Sequence, residues 1–283
     1  MLPRLAFYSR VPPRCFIDSN DGLDIRWLGL ERRGEGRWSF ELTAPLTRFD
    51  GKLYGGTGIA VTTAVMEAES GRGATYSTVQ FAGSADLGDR IDCHVEVLAE
   101  GRRTTQLRMT ATVDGRIVLA AIGATGEART EPLEAQFGTM PDVPGPEGAG
   151  PWMPERHLEL PITIPDGVTS WFSIADLRET PGRASMWARM RDMPQTRATL
   201  GFLADMVPSA VVRAAGRTGA GTSLDNAMRF GAVPDTDWIL VDFDPYLISG
   251  GYTHGAARLW AQEGTLLGVA SQTATVMLFD PPG

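Results

Sequence analysis

Between residues 75 and 126, apolar and polar side chains alternate through four successive runs: TYSTVQFAG (75–83), RIDCHVEVLAE (90–100), TTQLRMTATVDG (104–115) and RIVLAAIGATG (116–126). A period of two predicts strands with one face toward a core. Ahead of them, GGTGIAVTTAVMEAES (55–70) spaces its apolar residues at helical intervals behind a glycine pair. The same order recurs later in the chain. RATLGFLADMVPSAVVRAAG (197–216) predicts a helix in which Pro208 marks a kink or a break. Alternating runs follow at 222–231, 237–247, 252–264 and 265–278.

The two halves match at a constant spacing of 149 residues: Phe81 with Phe230, Asp86 with Asp235, Gly101 with Gly250, Gly115 with Gly264, Ala121 with Ala270. Single identities of Gly or Ala carry little weight, but joined to the same helix-then-strands order they indicate an internal duplication. Between the halves, residues 127–165 are rich in Pro and Gly and sustain neither period, so they read as a linker. The expected organisation is a tail (1–15), a first unit (16–126), the linker (127–165) and a second unit (166–283). A long helix followed by an antiparallel meander suggests an α+β unit whose sheet wraps around its helix. Two such units pairing sheet edges would have a pseudo-twofold axis and a cleft between them, where ligands commonly sit.

Composition narrows the chemistry. Of 283 residues, 43% are hydrophobic, ample for a core, and the formal charge of −8 argues against general nucleic-acid binding, which needs a basic footprint. No apolar run approaches the roughly 20 residues needed to cross a bilayer. The N-terminal MLPRLAFYSRVPPR, interrupted by arginines and prolines, does not resemble a signal peptide. The two cysteines, Cys15 and Cys93, form no disulfide framework, and His94, His157 and His254 have no partner at metal-ligand spacing. No cofactor or metal is expected, and the expected location is the reducing cytoplasm. Exposed sheet edges suggest a homo-oligomer, dimer or higher.

FDGKLYGGTGIAVTTAVMEA, the run from YSTVQFAG to DGRIVLAA, SLDNAMRF, DWILVDFDP and EGTLLGVASQTATV together resemble the acyl-CoA thioesterase II family, within the thioesterase-like superfamily, over most of 38–126 and 197–278. The resemblance implies a tandem (double) hotdog, two antiparallel sheets each wrapped around a long helix. It also implies hydrolysis of fatty acyl-CoA thioesters to free acid and CoA, in fatty acid metabolism. The family's centre is an Asp, a Thr and a Gln in the C-terminal hotdog that hold and activate a water. Carried over, the Asp falls on Asp225 in SLDNAMRF and the Gln on Gln272 in GVASQTATV. The Thr falls on Tyr246, a bulkier phenol, with Ser249 the nearest small hydroxyl.

In that reading Asp225 accepts the water's proton, Gln272 orients it through an amide that both donates and accepts, and Gly55 and Gly56 let the thioester approach the positive end of the first helix. A solvated strand carboxylate at Asp225 and an outward polar position at Gln272 are the plain alternatives, as is a tight turn at Gly55–Gly56. Arg102 and Arg103, at a hairpin tip, are either CoA phosphate contacts or a solvated turn. Trp27, Trp38, Trp171, Trp187, Trp238 and Trp260 read as core or pocket wall. Enoyl-thioester hydration pairs a His with an acid, a spacing this chain lacks. The remaining alternative is a non-catalytic acyl-thioester or lipid-binding hotdog protein, favoured by Tyr246.

Overall fold

The computed structural model describes residues 22–129, 133–146, 172–180, 183–191 and 193–279, with the backbone alone for 172–180 and 183. The tail at 1–15, His157, Trp171 and the linker beyond residue 146 lie outside the described residues.

The first half contributes a short helix α1 (Leu23–Trp27), the hairpin β1 (Glu31–Gly34) and β2 (Arg37–Glu41), the long helix α2 (Gly55–Ser70), and the meander β3 (Gly73–Phe81), β4 (Arg90–Glu100), β5 (Thr104–Val113) and β6 (Arg116–Gly126). The second contributes the hairpin β7 (Phe172–Thr180) and β8 (Arg183–Met190), two helices α3 (Arg197–Leu203) and α4 (Val207–Ala214), and the meander β9 (Gly219–Phe230), β10 (Ile239–Ser249), β11 (Tyr252–Ala261) and β12 (Leu266–Leu278). Strand alternation predicted the meanders and α2 closely. It missed both hairpins: β1 is exposed along its whole length, so no burial period marks it.

Two separate sheets were expected. The described strands instead form one twelve-stranded antiparallel sheet, ordered β1-β2-β4-β5-β6-β3-β9-β12-β11-β10-β8-β7. Its second six strands repeat the first six in reverse, as a twofold axis between β3 and β9 requires. An edge strand left unpaired at the centre would expose a row of backbone donors and acceptors. Here β3 and β9 satisfy each other instead, from Tyr76 opposite Arg229 to Gln80 opposite Asp225. At the middle of that seam Thr78 faces Ala227, its own counterpart at the 149-residue spacing, so the pseudo-dyad passes between them. The duplication extends to an irregularity. β3 bulges against β6 between Ala74 and Tyr76, and β9 bulges against β12 between Ser223 and Asp225, at equivalent positions.

The second helix is not continuous. α3 begins at a capping box, in which the Thr196 hydroxyl accepts from Thr199 N–H and the Thr199 side chain answers the N-cap backbone. It stops at Leu203. Pro208, in the first turn of α4, lacks an N–H and its ring would collide with the carbonyl of Ala204, so 204–206 turn instead of continuing the helix. α2 lies on the first meander, α4 on the second, and α3 packs against α2. Their close approach leaves no room for a side chain at Gly56, where a Cβ would collide with the Tyr54 ring and the Phe202 carbonyl oxygen. Tyr54 locks the same junction: its buried hydroxyl donates to Phe202 O at 3.1 Å and its ring meets Phe202 edge-on at 5.0 Å.

The described part of the expected linker is irregular but firmly held. Gln136 donates to Gly264 O at 2.9 Å and accepts from Leu266 N–H at 2.7 Å, while the Trp187 indole donates to Pro144 O at 2.8 Å. Met140 and Val143 cover a small second core of Trp187, Leu240 and Trp260. Trp27 and Trp38 join the main core, as expected for a wall of large aromatics.

Gly56→Ala forces a methyl against backbone that cannot rotate away. It should destabilise the chain by about 1–3 kcal/mol, the usual range for overpacking, as a lowered midpoint in chemical denaturation at unchanged m-value.

Candidate active site

The turn between α3 and α4 carries Asp205, 8% exposed, into the junction of the two halves. Its Oδ1 accepts from Gln272 Nε2 at 2.5 Å, from Asn226 Nδ2 at 3.2 Å and from Ser223 Oγ at 3.4 Å. Gln272 also donates to Ser223 Oγ at 2.8 Å. The backbone N–H of Gly56, in the first turn of α2, acts on the same carboxylate. A Cβ on Gly55 would sit 2.7 Å from Oδ1 and nearer still to Oδ2, so the glycine pair seats the acid against the positive end of α2. At the 149-residue spacing Gly56 is the counterpart of Asp205. The pseudo-dyad therefore sets the two positions against each other, and a second acid at Gly56 would have no room.

A bulge makes the cluster possible. Side chains in a regular strand alternate faces, so Ser223 and Asn226, three apart, would point oppositely. Leu224 is the extra residue between Ser223, opposite Ala274, and Asp225, opposite Thr273. It resets the parity and turns Ser223, Asn226 and Gln272 to the inner face together. Asp225 is left on the outer face, where its Oδ1 accepts from Thr273 N–H at 2.8 Å and stitches β9 to β12.

Burial raises the Asp205 carboxyl from 3.8 to about 6, against the opposing pull of its donors, Asn226 first, then Gln272, Gly56 and Ser223. The same burial, with the Asp205 charge beside it, raises the Tyr54 phenol well above its usual value. Two carbonyl oxygens in the cluster have no hydrogen-bond partner: Oε1 of Gln272, 4% exposed, and Oδ1 of Asn226, fully buried. Orphaned acceptors of this kind are rare in folded proteins and mark a place for a donor molecule.

Of the residues selected from the sequence, the fold unites Gln272, Gly55 and Gly56 around one acid, and that acid is Asp205. It does not bring Asp225 or Tyr246 there. Tyr246 is 60% exposed on the outer face, lining a hollow of about 200 Å³ with Arg229, Asp244 and Arg258. Ser249 is exposed at the tip of the β10–β11 hairpin, paired with Tyr252. The small hydroxyl beside the carboxylate is Ser223. Arg102 and Arg103 cap the β4–β5 hairpin near Arg72, whose guanidinium donates to the carbonyls of Gly101 and Arg102. Arg72 follows the C-terminus of α2, roughly 24 Å along that 16-residue helix from Gly55. His94 is exposed, and His254 shares a hydrogen bond with Thr273 at 3.2 Å on the outer face. Among the described residues no group of His, Cys, Asp and Glu could hold a metal, and no helix is long and apolar enough to cross a membrane. One sequence signal did point to Asp205: it is a lone acid in the apolar run GFLADMV, three residues before a proline.

A helix cradled by an antiparallel sheet, repeated in one chain and closing over a buried acid, is a hotdog-type architecture. The chain belongs to the acyl-CoA thioesterase family: residues 43–126 match the acyl-CoA thioesterase N-terminal domain and residues 137–276 the C-terminal domain. Among solved structures it is similar to a protein of Novosphingobium aromaticivorans assigned as a thioesterase, at 29% identity and TM-score 0.78, over 88% of this chain and 98% of that one. A protein of Thermobifida fusca assigned as a thioesterase II shares the fold at 20% identity and TM-score 0.76, over 90% and 97%. The acyl-CoA thioesterase II TesB2 of Mycobacterium marinum shares it at 18% and 0.70, over 90% and 98%. No curated protein matches the chain in sequence.

The raised Asp205 value has a thermodynamic consequence. In the unfolded chain this acid loses its proton near 3.8, in the folded chain near 6. Between those values the folded state holds more protons, so the group's contribution to stability is full below about pH 4 and is lost as pH rises through about 6. The span corresponds to roughly 2–3 kcal/mol. Glu67, raised to about 7 chiefly by burial, acts in the same sense. Asp205→Asn should therefore flatten part of the decline in unfolding free energy between pH 4 and 6, leaving the Glu67 share, as read from denaturation curves at a series of pH values.

Proposed function

We propose that this chain hydrolyses acyl-CoA thioesters, with Asp205, Ser223 and Gln272 as the acid, small hydroxyl and amide of the family's water-activating centre. The observation that carries this reading is the single buried carboxylate at the N-terminus of α2, ringed by a hydroxyl and two amides with free carbonyl oxygens. Family membership supports the activity, and the cluster supplies the three chemical types the resemblance requires. Tyr246, the residue that favoured a non-catalytic binding protein, is exposed on the outer face, and Ser223 supplies a small hydroxyl beside Asp205, which supports the hydrolytic reading.

Hydrolysis needs a nucleophile, a route for its proton and a stabilised oxyanion. A water beside Asp205 gives a proton to the carboxylate as its oxygen attacks the thioester carbonyl carbon. An acid with a value near 6 is ionised at neutral pH yet basic enough to take that proton. The first turn of α2 offers its positive end to the oxyanion. As the carbonyl re-forms, the C–S bond breaks and the proton held by Asp205 passes to the departing thiolate, giving free acid and CoA. Ser223 and Gln272 bond to each other and to Asp205, so they hold the carboxylate in one orientation through the cycle.

Thiol release from acyl-CoAs of graded chain length tests this. The parent chain should turn over with a rate that rises through about pH 6. Asp205→Asn should lower kcat by 100-fold or more, Ser223→Ala by roughly 10-fold, and Asp225→Asn by less than 3-fold. Binding without turnover in the parent chain, or an Asp225→Asn variant that is dead while Asp205→Asn remains active, would overturn the assignment.

A further inference from the structure

Asn226 is the residue of the cluster that the family's three-residue centre leaves unused. Its side chain is fully buried, its Nδ2 donates to Asp205 Oδ1 at 3.2 Å, and the carbonyl oxygen of the same planar amide has no partner. A buried amide with one half unsatisfied destabilises the fold unless something occupies the other half. A leucine of similar size would avoid that cost.

The opposite strand sharpens the point. Asn226 stands directly across from Gln272, so their amides lie side by side on the inner face. Both turn an N–H to the same carboxylate oxygen, and both leave a carbonyl oxygen free. A molecule that meets a carboxylate flanked by two bare carbonyls must bring donors, and more than one. Water is the smallest that does so. In the first half the corresponding pair is Ser77 opposite Gly123, and Met66 fills the place of the missing amide: a Cβ on Gly123 would lie 2.8 Å from its sulfur. Among the described residues the first half therefore lacks the seat.

We propose that Asn226 is a positioning residue for the attacking water, with its Oδ1 accepting the proton that is not transferred while its Nδ2–H steadies Asp205. This rests on the hydrolytic reading above. One O–H of the water points at Asp205 and is broken on attack. The other stays bonded to the oxygen and is held by Asn226, which leaves the oxygen lone pair facing the thioester carbon. Both hydrogens of the water are thus accounted for, and Gln272 Oε1 remains to hold a neighbouring water or the acid product. The titratable group facing Asp205 from the α2 side is Tyr54, while β9 and β12 turn only the neutral Ser223, Asn226 and Gln272 toward it.

The test is the pH profile of kcat for thiol release in two variants, Asn226→Leu and Asn226→Asp, beside the parent chain and Asp205→Asn. With Asn226→Leu, kcat should fall 10- to 100-fold while KM changes less than 3-fold, and the acid limb should move upward because Asp205 loses a donor. With Asn226→Asp the amide shape is kept, but a second carboxylate now shares the proton, and the limb should move further up. If the leucine variant does not fold, the aspartate variant decides by the same two readouts. An unchanged limb and kcat in a folded variant would overturn the inference while Asp205→Asn still abolishes turnover. Retained activity in Asp205→Asn would overturn the hydrolytic reading itself.

Discussion

The structure turns on a buried carboxylate resting on the first turn of a helix from the other half of the molecule. Asp205 is out of water, so its charge is tolerable only where donors are already in place. The fold supplies them from α2, β9 and β12 at once. That meeting point requires the two halves to be docked through the β3–β9 seam, the long helix to begin with glycines, and the second helix to be broken. Loss of any of the three leaves the acid solvated or unpaired.

The duplication bears on why, among the described residues, the buried acid at the junction comes from the second half and not from the first. The position related to Asp205 by the dyad is Gly56, where any side chain would run into the Tyr54 ring and the Phe202 carbonyl, so a second acid has no room there. The chain resolves this by asymmetry. Glycine stands opposite Asp205, and glycine and serine stand where the second half has glutamine and asparagine. The spare half keeps the sheet and the helix that offers its N-terminus, so it serves as scaffold and as electrostatic partner.

The order of elements and the internal repeat were legible from hydrophobic spacing, most cleanly in β5, where burial alternates along the strand, while α2 is an apolar run buried on all sides over its first twelve residues. The outer hairpins were not: β1 lies at the sheet edge without a buried face, and only the backbone of β7 is described. Pro208 was read correctly as a break, yet the consequence, an acid turned inward at the break, needed the partner helix to be visible. Asp225 drew attention as a carboxylate in a strand with its family partner Gln272 on the neighbouring one. It lies one residue beyond the bulge, which puts it on the outer face, away from Gln272.

The sequence alone determined the helix-then-meander order and the net negative charge, since these follow from local periodicity and composition, while the family resemblance singled out Gln272, Gly55 and Gly56, which the fold gathers around one acid. Tertiary structure decided that the described strands form one sheet rather than two, and that Asp205 with Ser223, instead of Asp225 with Tyr246, meets Gln272. The physical reason is the same in both cases. Pairing across a seam and the side-switch at a bulge depend on which backbone groups another strand satisfies, and a one-residue change in that pairing moves a side chain to the opposite face without altering a letter of the local pattern.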